Sequence, residues 1–282
     1  MAKLVILSYL AVLLLFNFSG CVVIQPEVAV WFDSCPAGAS LWIDGQTTDY
    51  HTPVEVALKP GRHMILLKKY SFANWEADIL VEKGKEQQVI ANLTAAPEQE
   101  TIMRLDGQNG QDASVLAFHP YTNYGLESSL GVGSNLNPYQ NLIYRSYLQF
   151  DLSDLPDEIQ LIEAKLGLFF NSDGKPTLPA EIAVYPILSE WQEDEITWEF
   201  QPEIASDPVG FTVVPPILTN AYVWWHITSL VEQWHQLDLI NYGLMLKDPD
   251  ENSIDGGKGF ASSESDQENQ RPCLILRYYQ PH

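Results

Sequence analysis

Basic residues are scarce in this chain. Its 282 residues hold 15 Lys and Arg against 37 Asp and Glu, a formal charge of -22. A nucleic-acid backbone is held by dense Lys and Arg, so nucleic-acid binding is excluded. The same surface repels anionic lipid headgroups, so any membrane attachment needs another device. The three cysteines, Cys21, Cys35 and Cys273, are too few for a disulfide framework or for the four close ligands of structural zinc. Cys35 and Cys273 fall in different halves of the chain, and a bond between them would require their Cα atoms within about 7 Å. Catalytic signatures are missing too. There is no G-x-S-x-G, no H-E-x-x-H, no phosphate loop and no dinucleotide fingerprint. His226 and His235 are nine residues apart, which is not a metal-ligand spacing on one helix. Apolar and aromatic residues are plentiful, at 46% hydrophobic with 8 Trp, 13 Tyr and 11 Phe. That composition builds a packed core and excludes whole-chain disorder. The length suggests about two domains.

The long apolar run lies at the start. Lys3 precedes Leu4 to Phe16, and the small residues Ser19 and Gly20 lead to Cys21. The run is shorter than the ~20 residues that span a bilayer, and charge, short apolar core and small residues follow the order of a signal peptide. Phe18-Ser19-Gly20-Cys21 resembles a bacterial lipobox. That resemblance implies a signal peptide over 1–20, a diacylglyceryl group on Cys21 and a lipidated tether over 21–27. It places the protein in the bacterial cell envelope, outside the cytoplasm, with the membrane as its partner through the lipid at Cys21.

Residues 28–94 alternate apolar runs of about five residues with turn chemistry, as in a small all-β sandwich. Strands are expected over 28–32, 39–43, 54–58, 63–67, 77–81 and 88–93. Asp44-Gly45 predicts a type I′ hairpin turn. The order P-x-G-A (Pro36, Gly38, Ala39), I-D-G (Ile43, Asp44, Gly45), T-P (Thr52, Pro53) and L-x-P-G-x-H (Leu58, Pro60, Gly61, His63) resembles a PEGA domain. The resemblance implies an extracellular β module without catalytic residues, and His63 reads as structural. The polar stretch 95–100 reads as the linker.

From 101 to 282 the pattern is again β, with ten candidate strands and one helical segment, Ile227 to Trp234, for which Thr228 is a plausible N-cap. Ten strands over this length suggest two facing sheets in a jelly roll. Several motifs resemble the DNRLRE domain: Asn123-Tyr124-Gly125, Arg145 through Pro156, Trp191-Gln192-Glu193 with Ile196-Thr197-Trp198, Ile227 through Trp234, and Phe260 through Glu264. The resemblance implies a secreted β-sandwich related to carbohydrate-binding modules, with no catalytic centre. The expected fold class is therefore all-β: a small PEGA-type β-sandwich, then a larger jelly-roll β-sandwich with one short helix.

Two segments carry candidate sites. Tyr121, Tyr124, Tyr139 and Tyr144 lie in or beside the stretch from His119 to Tyr144, which also holds Asn123, Asn135, Asn137 and Asn141. Exposed tyrosines with amides suit stacking against sugar rings, and Asn and Gly equally suit an ordinary long loop. Asp248, Asp250, Asn252 and Asp255 offer hard oxygen ligands for a structural Ca2+, without an EF-hand pattern. The alternative is a polar hairpin loop. Glu190, Glu193, Asp194 and Glu195 cluster as well, but a glycosidase needs two carboxyls facing across a cleft, and an acidic loop serves solvation equally. Trp191, Trp198, Trp224 and Trp234 are expected in core or corner packing. The functional expectation is a non-enzymatic, lipid-anchored envelope protein. Its C-terminal sandwich would bind polysaccharide or cell-wall glycan, with the PEGA-like domain as spacer. The alternatives are a structural or adhesive protein that binds another protein, and a glycan-active enzyme.

Overall fold

The computed structural model describes residues 26–171, 177–216 and 221–281. The expected signal peptide, Cys21 and most of the tether lie outside the described residues. No helix among the described residues is long and apolar enough to cross a membrane. The chain forms two compact units. One runs to Leu67 and includes Trp75–Asn92, and the other holds Lys68–Asn74 and everything from Leu93 onward.

Seven strands build the first unit: β1 (Val28–Cys35), β2 (Ser40–Ile43), β3 (Gln46–His51), β4 (Val54–Leu58), β5 (Gly61–Lys68), β6 (Trp75–Val81) and β7 (Gln87–Asn92). They form two sheets, β4-β1-β7 and β3-β2-β5-β6. Along β1 the apolar side chains alternate, so Val28, Val30 and Phe32 are buried, and Leu41, Ile65 and Leu67 are fully buried on the other sheet. The PEGA-like motifs are hydrogen-bonded to one another. Thr52 Oγ1 accepts from Ala39 N at 3.0 Å, while Gly38 N donates to Thr52 O at 2.7 Å. Asp44 and Gly45 both take positive φ, +53° and +76°, as a type I′ turn requires. Strand β3 escapes sequence reading. Its residues, Gln-Thr-Thr-Asp-Tyr-His, are almost all exposed and carry no apolar alternation.

The second unit contains β8 (Glu98–Arg104), β9 (Gly110–Leu116), β10 (Ser129–Asn137), β11 (Gln140–Phe150), β12 (Gln160–Phe169), β13 (Ala180–Pro186), β14 (Gly210–Val214), β15 (Tyr222–His226), α1 (Thr228–His235), β16 (Leu244–Lys247), β17 (Lys258–Ala261) and β18 (Cys273–Tyr279). A four-stranded sheet, β15-β12-β18-β8, faces a seven-stranded sheet, β14-β13-β16-β11-β10-β17 with β9 also on β11. Leu148, Phe150, Leu166, Leu168, Trp225 and Phe260 fill the core between them. Burying each such side chain contributes about 1.5–3 kcal/mol. The Trp225 indole N–H is satisfied by Ile182 O at 2.9 Å. The protein is thus all-β, a small sandwich and a larger one, with one short helix.

Three local expectations are corrected. Residues 95–100 are not a free connector: Ala95 bridges Phe72, and Glu98 to Glu100 open β8, which pairs with β18. The strand expected at 129–132 runs on to Asn137, and 140–144 extends the strand expected from 145, so the second half of the stretch from His119 to Tyr144 is the β10–β11 hairpin, paired in register from Gly133↔Tyr144 to Asn137↔Gln140. Thr228 does not cap α1. The N-cap is Ile227, without a side-chain cap, and Thr228 Oγ1 instead accepts from Ala164 N on β12 at 3.0 Å. Cys35 and Cys273 are both free thiols, the first exposed and the second buried.

Candidate functional site

The site begins with a strand that changes partners. The C-terminal half of β10 pairs with β11, and its N-terminal half pairs with β17. Along β11, β9 takes over the pairing at Tyr144 and continues to Phe150. Two buried serines hold the diverging strand. Gly131 N donates to Ser114 Oγ at 2.8 Å, Ser146 Oγ donates to Gly131 O at 2.8 Å, and the two hydroxyls lie 3.0 Å apart. The three bonds close a ring in which each hydroxyl both donates and accepts, so no buried polar group there is left unpaired.

This divergence opens a cavity of about 440 Å3, within the range of small-molecule sites. Tyr144 from β11 and Tyr124 from the loop after β9 line it, with Glu127, Asn135, Asp255 and Lys258. The Tyr144 ring lies on Gly131. A Cβ there would sit 2.8 Å from Tyr144 Cδ1, so the absent side chain is what lets the ring lie down. Burial pushes the Tyr144 phenol up from its ordinary value, and it does the same to Tyr124. The Tyr124 hydroxyl is held by His119 Nδ1 at 2.8 Å. Both phenols are therefore neutral, oriented rings.

The charged members are fixed. Lys258 is buried, its Nζ donates to Leu178 O at 2.7 Å, and burial lowers its pKa. Asp255 accepts from Thr177 N at 2.7 Å and from the Thr177 hydroxyl, and these bonds hold its carboxyl below the usual range. Asn135 Oδ1 accepts from Gly257 N at 2.9 Å. The cavity thus offers a stacking ring, amide and carboxylate acceptors, and an ammonium already engaged.

Of the four tyrosines singled out in the sequence, the fold brings together two. Tyr121 and Tyr139 are 72% and 91% exposed and lie outside the cavity, Tyr139 at the tip of the β10–β11 hairpin. Glu127, Lys258 and the small residues Gly131 and Ser114 were not read as site residues. They come from three separate segments, β9, the entry to β10 and β17, and sequence alone gives no signal for their meeting. The oxygen-rich loop turns its groups to different partners. Asp248 Oδ1 accepts from Asp250 N and Glu251 N, Asp250 Oδ1 accepts from Asn252 Nδ2, and Asp255 faces Thr177. The loop is fastened to β11 by Glu251, whose carboxylate takes a fork from Arg145 at 2.7 and 2.9 Å. Arg145 also lies 4.5 Å over the Trp198 ring.

Two other surfaces compare poorly or differently. A wider concavity of about 800 Å3 includes Phe150 and Trp234, but both are buried and offer no ring face. On the outer side of the four-stranded sheet, Trp224 lies against Gly167 and stacks on Tyr222 with centroids 5.2 Å apart. Trp191 and Trp234 are buried as expected, whereas Trp198 and Trp224 are partly exposed.

Among the acidic residues before Trp198, Glu193 meets Asp112 and Glu264, with one potential ligand atom from each within 4.8 Å of the others. Asp112 is fully buried, and Glu193 and Glu264 are partly buried.

The comparisons with known proteins follow the same division. Residues 28–97 match the PEGA domain model. Residues 107–278 match the model of carbohydrate-binding module family 96. No curated protein matches the chain. A solved structure concerned with the promiscuous specificity of carbohydrate-binding modules from the β-sandwich superfamily is 10% identical, with a TM-score of 0.16 over 86% of this chain and 80% of that one. That likeness adds nothing to the fold already described. The match over 107–278 covers more than half of the sequence, and through it the chain belongs to carbohydrate-binding module family 96.

Proposed function

We propose that this protein is a lipid-anchored, non-catalytic component of the bacterial cell envelope that binds an uncharged polysaccharide or cell-wall glycan in the cavity around Tyr144 and Tyr124. The observation that carries the reading is the Tyr144 ring laid on Gly131 beside fixed polar groups in a cavity of about 440 Å3. An aromatic face and a few oriented polar atoms are what sugar recognition needs. The family membership supports a carbohydrate ligand, and the lipobox-like ending at Cys21 supports the anchor. The PEGA-matching unit serves as the spacer.

The test is a panel of neutral polysaccharides and peptidoglycan fragments, run against the full-length chain in detergent. Saturable binding that falls at least tenfold in Tyr144→Ala, and not in Tyr139→Ala, supports the cavity. Binding that survives Tyr144→Ala but is lost in Trp224→Ala moves the site to the four-stranded sheet. A folded protein that binds no glycan overturns the reading. Metabolic labelling with a fatty acid tests the anchor: label lost in Cys21→Ser supports it, and label retained overturns it.

A further inference from the structure

Three carboxylates gather away from the cavity: Asp112 on β9, Glu193 in the loop after β13 and Glu264 in the loop after β17. Each offers a ligand atom within 4.8 Å of the other two. Two oxygens that share a Ca2+ at about 2.4 Å lie no more than twice that distance apart, so the spacing suits that ion. Among the described residues no Lys, Arg or His forms an ion pair with any of the three.

The donors present are too few. Ser263 N donates to Asp112 Oδ2 at 3.0 Å, and Asp112 N donates to Glu193 Oε1 at 3.0 Å. The Ser263 hydroxyl lies 2.7 Å from Glu264 Oε1 and 3.1 Å from Asp112 Oδ1. It has one proton and satisfies one of them at a time. Glu264 Oε2 is shielded from solvent and has no hydrogen-bond partner at all. A buried, unpartnered carboxylate oxygen on one member of a group of three carboxylates is costly in the absence of a cation.

We propose that Asp112, Glu193 and Glu264 bind a divalent cation, best matched by Ca2+. The ion would tie a sheet strand to two loops. It would also brace the loop that carries Tyr124, because Asn123 Nδ2 donates to Glu193 O at 2.7 Å and Ser262 Oγ donates to Glu127 O at 2.7 Å. This site is separate from the oxygen-rich loop at 248–255.

The test uses full-length protein in detergent, stripped with EDTA and exchanged into metal-free buffer, then titrated calorimetrically with CaCl2 or MgCl2. One Ca2+ per chain is expected, with Mg2+ at least about tenfold weaker, since Mg2+ demands tighter octahedral geometry. The unfolding midpoint should rise with Ca2+ concentration, as for any ligand of the folded state. Glu264→Gln should weaken Ca2+ at least tenfold, and in EDTA it should unfold no earlier than the wild type, because it removes an uncompensated charge. Asp250→Asn should bind as the wild type does. The absence of Ca2+ binding to the wild type, unaltered binding in Glu264→Gln, or loss of binding in Asp250→Asn would overturn the proposal. The wild-type titration stands even if a variant fails to fold, and none of these readouts depends on a glycan.

Discussion

Two side chains show how single contacts decide local structure. Gly131 is needed for space. A Cβ would meet the Tyr144 ring at 2.8 Å, and the neighbouring strand is fixed by the Ser114–Ser146 ring. Overpacking of this kind costs about 1–3 kcal/mol, so Gly131→Ala should lower stability by that amount in denaturant unfolding. His63 carries a pH dependence. Its Nδ1 lies 2.8 Å from Asp44 Oδ2 and its Nε2 lies 2.8 Å from Lys59 O, so both nitrogens face acceptors and the ring is best satisfied as imidazolium. Burial alone would lower the His63 pKa, but the Lys59 carbonyl and the Asp44 carboxylate outweigh it and raise the value. A raised folded pKa means stability that is fully present below the unfolded value near 6.5 and is lost as pH rises through the folded value. Unfolding midpoints measured from pH 5 to 9 should decline across that window in the wild type and stay flatter in His63→Gln. Identical profiles would show that the ring contributes nothing.

At the scale of elements, strands with apolar alternation were legible and exposed or diverging ones were not. β1, β4 and β18 are readable because apolar residues recur at alternate positions and most of them are buried. β3 is invisible because its side chains face water. The β10–β11 hairpin was legible only at its far ends, 129–132 and 145–150, because Asn and Gly in between read as turn residues, whereas here Gly131 sits where the Tyr144 ring crowds it and Gly133 takes a positive φ within the strand. Composition marks the tyrosine-bearing segment, but the fold decides which rings line the cavity: Tyr124 and Tyr144 do, and Tyr121 and Tyr139 do not. Helix α1 was legible from Leu230, Val231 and Trp234, all buried, yet its first threonine works for another element. Thr228→Val keeps the shape and strips Ala164 N of its acceptor, so it should cost about 1–3 kcal/mol in unfolding free energy. The Arg145–Glu251 fork pins the 248–255 loop to β11 in a partly buried setting. Arg145→Lys keeps the charge but loses the two-pronged geometry, and a loss of about 1–2 kcal/mol is expected. The same measurement on Lys85→Ala, whose pair with Glu82 is exposed, should show almost none.

For the whole molecule, net charge sorts the ligands that the cavity could receive. The chain carries -22, and the cavity itself holds Glu127 and Asp255 against a single Lys258 already bonded to a carbonyl. A polyanionic glycan therefore meets repulsion both at long range and at the site. A neutral glycan, which stacks and hydrogen-bonds without forming ion pairs, is indifferent to that field. Screening separates the two cases, because the Debye length falls from about 30 Å at 0.01 M salt to about 10 Å at 0.1 M. Affinity for a neutral polysaccharide should stay within about twofold across that range. A uronate-bearing or phosphate-bearing polymer should show no binding at low salt and at most weak binding at high salt. Tight binding of a polyanion at low salt, weakened by added salt, would mean that a basic contact outside the cavity governs recognition. Arg145 over Trp198 would then be the first group to replace, since it places a cation on an aromatic face outside the cavity.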